Sequence, residues 1–185
     1  MRSVHIILIG LLLMAFGARV QADTNLTQKF IDTAIDPQVF VEKASSSGAA
    51  EVEMAKMALQ KSTQDDVRHF AQMMIESHTL MNKQLRELAE NEGLTISDEP
   101  TLMKKAKAFV LSQQQGESFD EAYAKNQLEA HEQTYQLFRQ AANSPEKNVR
   151  EFAESQLPTL EHHLNLARTL VTTVAQSQAT AQSAN

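Results

Sequence analysis

Four side chains of metal-ligand type interrupt apolar helical seams in this chain: Glu51, His78, His131 and His163. His78 stands out first. It lies four residues after Met74 and three before Met81, in a run whose apolar positions Val67, Phe70, Ala71, Met74, Met81, Leu85 and Leu88 step by three and four. His131 shares a register with Ala124, Leu128, Tyr135, Phe138 and Ala142, and His163 with Leu160, Ala167 and Leu170. Glu51 belongs to a seam of mostly small residues, Ala44, Gly48, Ala55 and Ala58. Three imidazoles and one carboxylate meeting at one point would bind a single divalent first-row metal, with Zn, Cu, Fe and Mn all candidates. The same residues admit a purely structural arrangement, histidines bonded to a glutamate, to backbone or to Tyr135. Either way, burial obliges them to meet one another, water or an ion.

Other chemistries fit less well. A di-iron centre in a helical bundle wants Glu-x-x-His on two helices. Here the residues three before His78, His131 and His163 are Ile75, Leu128 and Leu160. Copper is raised by Met54, Met57, Met73, Met74, Met81 and Met103, although methionine at helical spacing is ordinary core filler. Glu53, His69, Glu132 and His162 fall on the outward faces. No nucleophile elbow, phosphate-cradling glycine loop or carboxylate pair at catalytic spacing occurs, so no catalytic residues are assigned.

Four long helices must position the set. Asp36-Pro37 opens the first, to about Lys61, as N-cap and first-turn proline. Thr63 with Asp66 forms a capping-box pattern for the second, which Gly93 ends. A connector of about two dozen residues follows, with a short helix starting at Asp98-Glu99-Pro100 and stopped by the QQQG run. Ser118 with Glu121 opens the third long helix, to about Asn143, and Ser144-Pro145 the fourth, to about Val174, with Pro158 inside it as an expected kink. The four ligand-type residues then stand near the middle of their helices, at similar height. Very short turns make helices 1 and 2, and helices 3 and 4, antiparallel pairs, and the long connector can cross the length of a bundle. The expected fold is all-α, a ferritin-like four-helix bundle with a long helical crossover between helices 2 and 3. An up-down-up-down bundle is the alternative.

The ends of the chain read differently. Arg2, the apolar run Ile6 to Ala18 and Val20-Gln21-Ala22 have the pattern of a cleavable signal peptide over residues 1–22. The run is shorter than a membrane span of about 20 residues, and no cysteine follows for a lipid anchor. Residues 23–36 form a lead with one helical turn around Phe30 and Ile31, residues 37–174 the bundle, and residues 175–185 a disordered tail. The periplasm is the expected location, with no transmembrane segment in the mature chain. Cleavage removes Arg2 and Arg19 and moves the net charge from −6 to −8. An acidic chain without a basic stripe is a poor partner for nucleic acid. Zero cysteines exclude disulfides, thiol catalysis and Cys-type zinc sites.

Four stretches carry a resemblance. FVEKASSSGAAEVEMAKMAL and VRHFAQMMIESHT resemble the first half of the bacterial domain of unknown function 4142 family, and FDEAYAKNQLEAHEQTYQLF and VREFAESQLPTLEHHLNLA its second half. The resemblance covers Pro37 to about Val174. It implies an exported ferritin-like bundle, often labelled an outer-membrane protein, and no established activity. One departure is Ser77, where the family usually has an acidic residue directly before the histidine. Two functions follow as expectations. One is a single transition-metal ion held for storage, buffering or sensing; the other is a structural or stress-protective role with an envelope partner protein, in which the Glu/His cluster only fixes packing.

Overall fold

The computed structural model describes residues 34–183, so the signal peptide and the turn expected around Phe30 and Ile31 lie outside the described residues. Five helices follow: α1 (Pro37–Lys61), α2 (Asp65–Glu92), α3 (Leu102–Ser112), α4 (Gly116–Ala141) and α5 (Lys147–Ser183). No described helix is long and apolar enough to cross a membrane.

Local chemistry sets most boundaries. The Asp36 carboxylate accepts the Val39 N–H at 3.0 Å ahead of Pro37. Gly93 ends α2 at φ 66°, a left-handed conformation that costs glycine little. Ser144 Oγ accepts the Glu146 N–H at 3.2 Å just before α5.

Three starts differ from expectation. The Thr63 box does not form. Gln64 holds the N-cap position without a side-chain bond, and Asp65 and Asp66 instead face the positive end of the α2 dipole. The crossover helix starts after Pro100 rather than at Asp98, because Thr101 Oγ1 accepts the Lys104 N–H while Asp98 and Glu99 pair with Arg86 and Lys105. Helix α4 begins at Gly116, so Ser118 is already inside its first turn.

The far end is a larger correction. Helix α5 does not stop near Val174 but continues to Ser183, where Gln178 Nε2 donates to the Glu117 carbonyl at 3.0 Å. Apolar periodicity reports burial rather than helicity. The Ala- and Gln-rich run after Val174 is largely exposed yet holds no Gly or Pro to stop a helix. Pro158 lies within the same helix on its exposed side, so the Glu154 carbonyl that loses its donor can face water.

The connectivity is that of a ferritin-like bundle. Phe40 at the start of α1 meets Phe138 near the end of α4, ring centroids 5.0 Å apart. At the other end of α1, Lys61 Nζ donates to the carbonyls of Ser112 and Gln114 at 2.6 and 2.9 Å, just before α4 begins. Asn148 in α5 donates to Glu92 at the end of α2, at 2.6 Å. Neighbouring long helices are therefore all antiparallel, in the order up, down, down, up. Helix α3 crosses between the second and third, which excludes the up-down-up-down alternative.

The run Ser45-Ser46-Ser47-Gly48 now has a role. Ser45 Oγ accepts the Ser97 N–H at 3.0 Å, Ser46 Oγ accepts the Thr101 N–H at 2.9 Å, and Ser47 Oγ accepts from Lys104 Nζ at 2.6 Å. Three hydroxyls thus dock the crossover onto α1. Gly48 faces α2, where the Asn82 amide occupies the space that a Cβ would take, with Oδ1 1.8 Å from that position. Each hydroxyl bond is worth about 1 kcal/mol. Replacing Ser45 and Ser46 by Ala should speed amide exchange at Ser97 and Thr101 by about fivefold each, with little change at Phe138. Equal protection in that variant would contradict the docking role. The outer face of α3 leaves Leu102, Met103, Phe109 and Val110 exposed.

The core is split. One apolar cluster gathers Phe40, Val41, Met81, Leu85, Phe138 and Leu160, and the other Phe70, Met74, Phe119, Tyr123, Leu170 and Val174. Between them lies a buried polar storey.

Candidate metal centre

Helices α2, α4 and α5 each deliver one histidine to that storey. His78, His131 and His163 are 2, 1 and 2 % exposed. Their ring centroids form a nearly equilateral triangle with sides of 5.4, 5.5 and 5.6 Å. One ring nitrogen from each lies within 4.8 Å of the other two. The structure brings together three of the four residues expected from the helical seams.

The tautomer of one ring follows from its partner. His131 Nδ1 is 2.8 Å from the Gln127 carbonyl, which can only accept, so Nδ1 carries a proton, and in the neutral tautomer the lone pair is on Nε2. That Nε2 is 3.4 Å from His78 Nε2. Two nitrogens bound at about 2.0–2.1 Å to one tetrahedral ion stand roughly 3.3–3.4 Å apart. The spacing therefore suits a shared ion, and without an ion it suits one N–H···N bond. A carbonyl that fixes the outer nitrogen is also what a metal-ligating histidine needs.

Electrostatics favours the neutral form of His78 and His163. Burial, and then the neighbouring His131 and His163, push His78 well below the ordinary 6.5. Burial, with His131 and His162, lowers His163 to about 4. Neutral imidazole is the ligating form, so protonation does not compete for His78 and His163 at neutral pH.

Glu51 departs from the expected set. It is buried, 2 % exposed, but it is not among the residues whose donor atoms converge. The reason lies in the crossover. Helix α1 is covered by α3 as well as by α2 and α4, so residues Ala44 to Glu51 are buried almost all round. Burial at Glu51 therefore reports the α1–α4 seam under α3, where it faces a small cavity with Lys104, Asn126 and Gln133.

The α4 register is also shifted from the expected one. Tyr123, Gln127 and Thr134 are buried beside His131, while Leu128 and Tyr135 are only half-buried. Gln127, one turn before His131 on the same face, was legible from that spacing. Glu53, His69, Glu132 and His162 are exposed as expected. Met74 and Met81 lie in the apolar clusters on either side of the storey.

The storey is chemically incomplete. His163 Nδ1, Glu51 Oε2, Tyr123 OH and both amide atoms of Gln127 are buried without a protein partner. Buried polar atoms are normally satisfied, so this layer is built to hold something besides protein, whether water or an ion. No curated protein and no solved structure matches the chain. The profile of the family described as Domain of unknown function (DUF4142) matches residues 19–170, most of the chain, and the protein belongs to that family.

Proposed function

We infer that the protein binds one divalent transition-metal ion through His78, His131 and His163, as a holding site for storage, buffering or sensing rather than for turnover. The observation that carries this reading is the convergence of three buried ring nitrogens within 4.8 Å, one from each of three helices. With Glu51 outside the group, the donors are imidazole alone. Imidazole suits zinc, copper and iron, whereas manganese prefers oxygen donors, so manganese falls to the bottom of the order. Titrating chelator-stripped protein with Zn²⁺ against a chromophoric chelator should give one ion per chain, and none in His78→Ala. Zinc bound equally by that variant would defeat the reading.

The location belongs to the same proposal. Arg2, the apolar run and Val20-Gln21-Ala22 support export to the periplasm. N-terminal sequencing of the protein from a periplasmic extract should begin at Asp23. An intact Met1 in the soluble fraction would refute export.

A second reading has its own support. His78 and His131 already meet at 3.4 Å, and α3 exposes an apolar stripe. An envelope interaction or stress-protective protein with a packing-only histidine cluster would show both. It is favoured if zinc does not bind the unaltered chain.

A further inference from the structure

The three histidines are closed in by apolar clusters above and below, so an ion needs a lateral way in. The seam between α1 and α4 offers one. Under the crossover it holds a cavity of about 150 Å³, and a wider groove of about 580 Å³ shares Thr101, Lys104 and Gln133 with it. Two residues belong both to these walls and to the buried storey. Thr134, one turn after His131, lines the groove, and Glu51, one turn after Ser47, lines the cavity.

The cavity carries opposite charges on its wall. Glu51 Oε2 is buried with no protein partner. A carboxylate taken out of water and left unpaired attracts a cation strongly. Lys104 lines the same cavity, yet its Nζ is held by Ser47 Oγ at 2.6 Å and makes no ion pair with Glu51. Burial pulls the Lys104 ammonium below its ordinary pKa, and the nearby Glu51 pulls it back up. The carboxylate is thus left available while an ammonium stands beside it. Asn126 and Gln133 line the same wall.

Resting on the metal reading above, we propose that Glu51 is a transit site for the incoming divalent cation in the α1–α4 seam, and that Lys104 beside it restrains admission. A cation pauses on the carboxylate, passes inward to the imidazoles, and leaves Glu51 free for the next exchange. Glu51 governs how fast the centre fills, and the histidines govern how tightly it holds. Charges lining a low-dielectric cleft change association rates by about 10-fold to 10³-fold.

The test is stopped-flow loading of Co²⁺ into chelator-stripped protein, followed by the visible absorption of histidine-bound cobalt. Glu51→Gln keeps shape and removes charge. It should slow loading about tenfold or more while the equilibrium Kd stays within about threefold. Lys104→Gln should speed loading severalfold. Opposite signs in the two variants are what a charge gate produces and a packing role does not. Loading at the unaltered rate in Glu51→Gln, or equal slowing in both variants, overturns the transit site while leaving the centre intact. A Kd weakened in proportion to the rate would instead make Glu51 a ligand and overturn transit in that way. No cobalt band in the unaltered protein defeats the metal reading itself, and the transit site with it.

Discussion

Replacing His131 by alanine is expected to abolish stabilisation by metal altogether. At an ion concentration a hundredfold above its Kd, a ligand that binds only the folded state adds about 2.7 kcal/mol. For a bundle of this size that is a rise of about 5–10 °C in Tm. His131 is the ring whose tautomer is fixed, through its Nδ1–H bond to the Gln127 carbonyl, and its Nε2 faces His78. On the metal reading, its removal takes away the best-oriented donor. It also empties a fully buried volume, which lowers stability by about 2–4 kcal/mol without any ion. The absolute Tm therefore mixes two effects. The increment on adding Zn²⁺ or Cu²⁺ to chelator-stripped protein separates them. A His131→Phe variant refills the space and should recover much of the lost Tm with no metal increment. An increment that survives in His131→Phe would place the ion elsewhere.

The second large effect is with pH. Unfolded chains protonate histidine near the ordinary value of 6.5, whereas folded His163 does so only at about 4 and His78 is held well below 6.5. Between these values the unfolded state binds more protons than the folded one. The contribution is complete above about pH 6.5 and is lost as pH falls toward 4. At 1.36 kcal/mol per unit, His163 alone accounts for about 3 kcal/mol over that window, and His78 adds to it with the same sign. Asp120 acts in the opposite sense, because burial raises its carboxyl above the ordinary value. Urea titrations of chelator-stripped protein at pH 7 and pH 4.5 measure the difference. His163→Gln should flatten it, and an equally steep loss in that variant would show that other groups unfold the protein in acid. The same protons compete with the ion, so the metal increment should vanish over the same window.

The architecture and the histidines were legible because both depend on helical period. Val67, Phe70, Met74, His78, Met81 and Leu85 step along one face and are all buried. Positions near the middle of their helices brought His131 and His163 to similar height. Glu51 obeyed the same arithmetic and still lies off the centre. What buries it is α3, a segment about fifty residues away, and no local pattern encodes that cover. Tyr123 and Gln127 escaped notice because the α4 face was drawn through the more apolar Leu128 and Tyr135. In the folded bundle a polar storey lies at that level, so hydrophobicity misled by about one position. The helix beyond Val174 was missed for the converse reason, since it buries little and so leaves no stripe.

The divided core carries a consequence for assembly. Apolar side chains are interchangeable enough that a bundle lined only by them can settle with one helix slid along its neighbour. Such a slide moves by one turn, about 5.4 Å. Here that offset would drive an imidazole among Phe70 and Met74, or among Phe138 and Leu160, and would strand the remaining polar groups against an apolar ring. A single buried polar position is known to select one alignment of packed helices at some expense in stability. The histidine storey therefore works as an index mark for α2, α4 and α5, and only one sliding phase of the three helices lets the rings meet.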